Sequence, residues 1–162
     1  MIFGERYLIS WITVMEKRST VDNTMILFDR VTKTYGTGQK ALDDVSLQIE
    51  KGEFVFLVGN SGAGKTTLLE LILRETEADQ GNIVVNGIDL RQLKERQVCR
   101  YRRYIGMVFQ DFCLFPDFTV YENVAFAQRV IEADHKRMRS RVMEVLSQVG
   151  LEKKAGCYPG QL

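Results

Sequence analysis

The sequence has little excess charge, few cysteines and a single histidine, and each scarcity argues against a class of protein. Its 22 basic and 21 acidic side chains leave a net charge of +1, so no electrostatic field favours nucleic acid or an anionic membrane. The cysteines Cys99, Cys113 and Cys157 form no C-x-x-C pair. This indicates free thiols in a reducing compartment, not a metal site or a disulfide framework. His135 lies in a polar stretch, and we assign it no catalytic role.

Residues 1–24 differ in character from the rest of the chain. The apolar part, 1–14, is short and is interrupted by Glu5 and Arg6, so it is too polar for a membrane span. It also lacks the basic start, apolar stretch and cleavage site of a signal peptide. We therefore expect residues 1–24 to be an extension outside the domain, with a misread upstream start or an amphipathic anchor as alternatives. Residues 25–162 are expected to form the domain.

Residues 59–67 are the most informative segment and read Gly-Asn-Ser-Gly-Ala-Gly-Lys-Thr-Thr. They fit the phosphate-binding pattern G-x-x-x-x-G-K-[ST]. The apolar run 54–58 predicts a strand before this loop, and residues 67–74 predict a buried helix after it. In that setting backbone N–H groups and the helix N-terminus hold phosphate oxygens. Lys65 would reach the outer phosphates, and the Thr66 hydroxyl would take a Mg²⁺ position. The alternative is a glycine-rich turn before a helix with a surface lysine.

The segments around the loop predict an α/β fold. Strand patterns precede the loop at 26–35 and 41–50 and follow it at 82–87 and 105–110. The charged stretch 89–103 is expected to be partly helical. Helical patterns cover 119–130 and 134–149, where Asp134 is a plausible N-cap and Gly150 a stop. This order implies an α/β core followed by a helical part that begins near residue 112.

Motifs outside the loop distinguish between nucleotide-binding families. Tyr35 lies in a Lys-Thr-Tyr-Gly turn, Gln110 ends the run Gly-Met-Val-Phe-Gln, and Leu-Phe-Pro-Asp-Phe-Thr-Val-Tyr-Glu-Asn-Val follows at 114–124. Together they resemble the nucleotide-binding domain of ABC-type ATPases, from about residue 25 to residue 162. Within that family the chain resembles the ATP-binding subunits of bacterial cell division most, and the lipoprotein-releasing and macrolide-exporting ATPases are similar here.

The resemblance implies a P-loop NTPase core with an antiparallel β N-terminal subdomain and the start of an α-helical subdomain. It also implies ATP and Mg²⁺ as cofactors. Tyr35 would stack on adenine, Lys65 and Gln110 would be catalytic, and Thr66 and Gln110 would hold the metal. The phosphates would be wrapped by Gly59, Asn60, Ser61, Gly62, Ala63, Gly64, Lys65, Thr66 and Thr67. From the residues alone, Tyr35 could also be an ordinary strand-end tyrosine, and Gln110 a buried strand end satisfied by backbone.

The resemblance further implies a bacterial protein at the cytoplasmic face of the cell membrane, bound to an integral membrane subunit. The full-length protein would be a homodimer of ATP-binding domains, and nucleic acid is not an expected partner. The aromatic loop 112–118 would form part of a groove for the membrane subunit, with plain core packing as the alternative. Two other functions remain open: the ATPase of a lipid, lipoprotein or drug exporter, and a non-catalytic nucleotide-binding module.

The last residues, Pro-Gly-Gln-Leu at 159–162, resemble the run that leads into the Ser-Gly-Gly signature of ABC ATPases. Residues 1–162 contain no such signature, and no apolar strand ending in Asp-Glu follows Gln110. They also contain no candidate for the switch histidine that the family places downstream of that strand. We therefore expect a partial domain that is truncated before the signature. Phosphoryl transfer depends on positioned charges and a positioned nucleophile, so these residues should bind ATP and hydrolyse it poorly alone.

Overall fold

The computed structural model describes residues 12–14, 23–36, 38–109, 111–131 and 135–162, and for 12–14 and 135 the description covers the backbone. The chain divides into two compact units, one up to residue 107 and the other from Val108 to Leu162. The described residues of the first unit form six strands and two helices. Those of the second form two helices and short 3₁₀ turns at Glu152–Lys154 and Pro159–Gln161.

The first unit is built on an antiparallel four-stranded sheet with the strand order β3-β2-β4-β5. Its strands are β2 (Thr24–Thr34), β3 (Lys40–Glu50), β4 (Gln80–Val85) and β5 (Ile88–Asp89). In β3, Val45, Leu47 and Ile49 are half-buried and the residues between them are exposed, as the alternating pattern predicts. The strands predicted at 26–35, 41–50 and 82–87 are thus confirmed, and the antiparallel sheet with them.

Helix α1 (Lys65–Ile72) supplies the apolar layer that covers the sheet. Leu71 and Ile72 are almost fully buried in one cluster with Phe28 and Val85, so the predicted buried helix is confirmed. Helix α2 (Glu95–Arg102) closes the far end of α1. The Arg102 side chain donates from Nε to the Leu73 carbonyl over 2.8 Å, which satisfies one of the acceptors that a helix end leaves open.

Two predicted strands differ in the structure. Residues 54–58 form no strand, and their side chains are between 41 and 80% exposed. An apolar run gives a strand only where a neighbour completes the hydrogen-bond ladder, and no strand of the described residues pairs with this run. The strand β6 (Ile105–Met107) is shorter than predicted, because Val108 and Phe109 leave the sheet and are exposed. Gln110 lies outside the described residues.

A short strand within the first 24 residues pairs with β6. Strand β1 (Ile12–Val14) runs antiparallel to it, with Ile12 opposite Met107 and Val14 opposite Ile105. The backbone at 12–14 therefore forms part of the first unit. The division between an extension at 1–24 and a domain from residue 25 stays a prediction.

The second unit contains two helices that pack on each other, α3 (Val120–Val130) and α4 (His135–Gln148). Their buried core consists of Val120, Ala125, Met138, Val142 and Leu146. In α4 the buried residues Met138, Val142 and Leu146 recur at helical spacing on one face, whereas Val149 lies beyond the helix end and is exposed. Gly150 has a φ of +72° and follows the helix as its predicted stop. Asp134 lies outside the described residues. Across the described ranges, no helix combines the length and the apolar character that crossing a bilayer requires.

Helix α3 begins with a reciprocal cap, and its removal should be measurable. The Thr119 hydroxyl accepts a hydrogen bond from the Glu122 N–H at 3.2 Å, and Glu122 Oε2 accepts from the Thr119 N–H at 2.8 Å. We expect Thr119→Ala to lower the free energy of unfolding in urea by about 1 kcal/mol. Ser140→Ala, on the exposed face of α4, is the control and should change it little. An unchanged value in the Thr119 variant would contradict a stabilising role for the cap.

The same cap predicts a pH dependence. Hydrogen bonds from the Thr119 backbone and side chain hold the pKa of Glu122 below its ordinary value. The stability that Glu122 contributes is therefore present above the ordinary carboxyl range and is lost as the pH falls through the lowered pKa.

Candidate functional site

The glycine loop has the backbone geometry that its sequence pattern predicts. Gly62 and Gly64 have φ angles of +80° and +82°, in the left-handed region that favours glycine. The Ala63 N–H donates to the Asn60 carbonyl over 3.1 Å and closes a tight turn. At Gly64 a Cβ atom would lie 2.3 Å from the carbonyl oxygen of Ala41. Glycine is required there because the loop passes directly against β3.

Helix α1 presents an open N-terminus at this loop. Gly64 is its N-cap and provides no side-chain cap, and the first turn contains no acidic residue. The first N–H bond within the helix runs from Leu68 to the Gly64 carbonyl, over 2.9 Å. The N–H groups that precede Leu68 have no helical acceptor and carry the positive end of the helix dipole. Such an end is a ready-made site for an anion.

The Lys65 side chain folds back across the loop. Its Nζ donates to the carbonyls of Gly59 and Asn60 over 2.6 and 2.7 Å. These two bonds place the ammonium group at the centre of the loop, where phosphate oxygens could take over from the carbonyls. The contacts therefore agree with the role predicted for Lys65, which remains a prediction.

The two threonines that follow Lys65 differ in burial. Thr66 is exposed, whereas Thr67 is 6% exposed. Nowhere in the described ranges do three or more His, Cys, Asp or Glu side chains gather into a group that could hold a metal. Mg²⁺ bound with a nucleotide needs only one or two protein oxygens, because phosphate and water supply the rest. The exposed Thr66 hydroxyl in the first turn of α1 fits that kind of site.

Tyr35 is joined to α1 by its hydroxyl group. The hydroxyl donates to Glu70 Oε2 over 2.7 Å and lies 3.2 Å from Thr67 Oγ1. The Thr67 bond lowers the pKa of Tyr35, but the bond to Glu70, burial and the Glu70 charge together raise it above its ordinary value. The side chain is 41% exposed. The structure thus brings Tyr35 to the helix that carries the glycine loop, with part of its surface open.

Asp79 fixes the end of β2 immediately before Tyr35. Its carboxylate accepts from the Thr34 N–H over 2.6 Å and from Lys33 Nζ over 3.3 Å. The Thr34 bond and the Lys33 charge hold the pKa of Asp79 below its usual range. Lys33 Nζ also lies 5.7 Å from the centre of the Tyr35 ring, within the range of a cation–π contact.

Sequence reasoning missed Glu70 and Asp79. Glu70 carried a weak signal, because it is the only charged residue in α1 between Lys65 and Ile72. Asp79 lies in an ordinary polar loop, and no local pattern marks it. Of the predicted site residues, Tyr35 and the whole of 59–67 belong to the first unit. Gln110 lies outside the described residues, so its catalytic and metal roles stay predictions.

The aromatic loop 112–118 lies in the second unit. Phe115 packs against the rings of Phe118 and Phe126, with centroids 5.0 and 4.8 Å apart, whereas Phe112 is 73% exposed. These ring contacts lie at the surface of the unit, because Phe115 and Phe126 are themselves 41 and 39% exposed. A docking role for Phe112 remains a prediction.

Comparison with known proteins identifies a family for most of the chain. The family described as ABC transporter matches residues 42–161. The cell division ATP-binding protein FtsE of Bacillus subtilis is 48% identical over 138 residues, which cover 85% of this chain and 60% of that protein. The methionine import ATP-binding protein MetN of Leifsonia xyli is 43% identical over 139 residues, covering 85% of this chain and 41% of MetN. The chain thus spans about three fifths of the FtsE sequence that it matches.

The fold has a close counterpart among solved structures. A dimeric ATP-binding cassette in a post-hydrolysis state, bound to ADP and Pi, superimposes with a TM-score of 0.73 at 33% sequence identity. The match covers 85% of this chain and 63% of that one. It confirms the predicted fold class, which local sequence patterns could only suggest.

Proposed function

Because the chain belongs to the ABC transporter family, we propose that it is an FtsE-like ATP-binding subunit. Through ATP binding and hydrolysis it would drive an FtsX-like integral membrane partner in cell division. The similarity to FtsE supports this role, and the glycine loop with Lys65 at its centre is the observation that carries nucleotide binding. The subunit would lie at the cytoplasmic face of a bacterial cell membrane and work as a homodimer of ATP-binding domains.

The geometry suggests how ATP would be held. The phosphates would lie over the open N-terminus of α1, and Lys65 would exchange its two carbonyl acceptors for phosphate oxygens. Tyr35, already anchored on α1, would stack its ring on adenine. Thr66 would provide a hydroxyl ligand for Mg²⁺, and the bound ion would supply neutralisation of the phosphate charge.

For hydrolysis, the proposed catalytic residues are Lys65 and Gln110. Lys65 would stabilise negative charge that develops on the transferred phosphate. Gln110 would help to hold the metal and the attacking water. In the homodimer, the family resemblance implies that the phosphate loop of one subunit faces the signature segment of the other.

The purified 162-residue chain should bind ATP and turn it over poorly. Binding uses groups that these residues contain, whereas the implied signature and general base are absent from the sequence. Calorimetric titration with Mg-ATP should show saturable binding, and a phosphate-release assay should show turnover far below that of a full-length relative. Turnover at the relative's rate would contradict the expected dependence on further residues. No detectable ATP binding would contradict the proposed site.

A transporter ATPase is the second candidate function, and the similarity to MetN favours it. The two functions differ in the membrane partner. Co-purification of the full-length protein with an FtsX-like protein supports the division role, and co-purification with a solute permease supports the transporter.

A further inference from the structure

The Tyr35 hydroxyl joins the end of β2 to α1 through two side chains. It donates to Glu70 Oε2 over 2.7 Å and lies 3.2 Å from Thr67 Oγ1. The Tyr35 hydroxyl carries a single hydrogen, which it donates to Glu70. The Thr67 hydroxyl therefore donates the second bond, to the phenol oxygen. Thr67 and Glu70 are three residues apart and share one face of the helix. The helix that begins at the phosphate loop therefore also holds the aromatic ring.

The backbone on both sides of Tyr35 is held as well. Before it, the Thr34 N–H donates to Asp79 over 2.6 Å. After it, the Tyr35 carbonyl accepts from the Gly38 N–H over 2.8 Å, and the Tyr35 N–H donates to the Gln39 carbonyl over 3.1 Å. With the backbone fixed, the two side-chain torsions are the remaining freedom of the ring. The hydroxyl bonds to α1 restrict those torsions.

We propose that Glu70 is a positioning residue for nucleotide binding, which holds the Tyr35 ring against α1 so that its open surface can stack on the base. The inference rests on the proposed function, which assigns Tyr35 to the base and Lys65 to the phosphates. Both assignments then depend on one helix, since Lys65 is its first residue and Glu70 lies in its second turn. The distance between the base and phosphate contacts is set by α1.

The test separates binding of the base from binding of the phosphates. Glu70→Ala removes the acceptor of the Tyr35 hydroxyl and allows the ring to turn. We expect the Kd for Mg-ATP to rise roughly three- to tenfold, a part of what base stacking contributes. The Kd for inorganic tripolyphosphate, which has no base, should stay the same. Calorimetric titration measures both.

Three further variants sharpen the result. Tyr35→Phe keeps the ring and removes the hydroxyl with its bonds to both Glu70 and Thr67, so it should weaken ATP binding at least as much as Glu70→Ala. The double variant should bind ATP no more weakly than Tyr35→Phe. Glu70→Gln keeps a carbonyl oxygen at the same reach and should retain most of the ATP affinity. Glu75→Ala is the matched control, because Glu75 is an exposed glutamate just beyond α1.

The outcomes distinguish a failure of this inference from a failure of the proposed function. If Glu70→Ala weakens ATP and tripolyphosphate equally, Glu70 supports the phosphate loop, and the proposal is overturned. It is also overturned if neither Kd changes. Should Glu70→Ala unfold, Glu70→Met, which keeps the length of the side chain and removes the oxygen acceptor, decides between the same outcomes. If the wild-type chain binds neither ligand, nucleotide binding itself is contradicted, and the role of Glu70 with it.

Discussion

Replacing Lys65 with alanine is expected to weaken Mg-ATP binding by about 10- to 150-fold, the loss that follows from removing a charge-assisted hydrogen bond. Lys65 Nζ contacts the carbonyls of Gly59 and Asn60 at 2.6 and 2.7 Å, so the ammonium already lies where phosphate oxygens would approach the loop. Without it, the open N-terminus of α1 still offers its partial positive charge to the phosphates. Calorimetric titration of the wild type and Lys65→Ala measures the difference.

The control for this variant removes the same charge elsewhere. Lys153 is exposed in the 3₁₀ turn Glu152–Lys154 of the second unit, and Lys153→Ala should bind ATP as the wild type does. A similar loss of ATP affinity in Lys65→Ala and Lys153→Ala would indicate that binding responds to the net charge of the protein and not to Lys65 itself. Equal ATP affinity in Lys65→Ala and the wild type would contradict the assignment of residues 59–67 as a phosphate site.

Replacing Gly64 with alanine is expected to lower the free energy of unfolding by about 3 kcal/mol, from backbone strain and overpacking together. The φ angle of +82° disfavours any residue with a side chain. In addition, the new Cβ would lie 2.3 Å from the Ala41 carbonyl oxygen and 2.9 Å from Leu42 Cδ2. A backbone oxygen cannot move aside as a flexible side chain can, so the loop or β3 must shift. ATP binding should fall with the displaced loop.

Gly62 provides the matched control within the same loop. Its φ angle is +80°, but no atom lies within 4 Å of the position that a Cβ would take. Gly62→Ala should therefore cost only the conformational strain, about 1 kcal/mol. Urea unfolding measures the loss of unfolding free energy in both variants. The difference between the two losses is the cost of the steric clash at Gly64. Equal destabilisation would contradict a specific contact between the glycine loop and β3.

Elements whose signal is local were predictable from the sequence. The alternation in β3 depends on neighbours two residues apart, and the helical pattern at 119–130 depends on neighbours three or four residues apart. The glycine loop was predictable for the same reason, because its conformation is fixed by residue types at set spacing. These signals predicted the strands at 26–35 and 41–50, the helices and the residues that surround the α1 N-terminus.

The features that the sequence did not predict depend on contacts between segments that are far apart along the chain. The hydroxyl of Tyr35 meets Glu70, 35 residues further along the chain, and no periodicity connects them. The hydrogen bond from the Thr34 N–H to the Asp79 carboxylate joins residues that are 45 positions apart in the sequence. The strand predicted at 54–58 was wrong for the same reason, since strand formation depends on a neighbour and not on the run itself.

The exposed run at 54–58 has a consequence for the behaviour of the protein in solution. It reads Phe-Val-Phe-Leu-Val, with high β propensity and neither charge nor proline, and its side chains are open to solvent. Segments of this kind associate between chains and lead to aggregation. The apolar residues that predict a strand before the phosphate loop thus favour association between chains. We expect the aggregated fraction of the protein to rise steeply with its concentration.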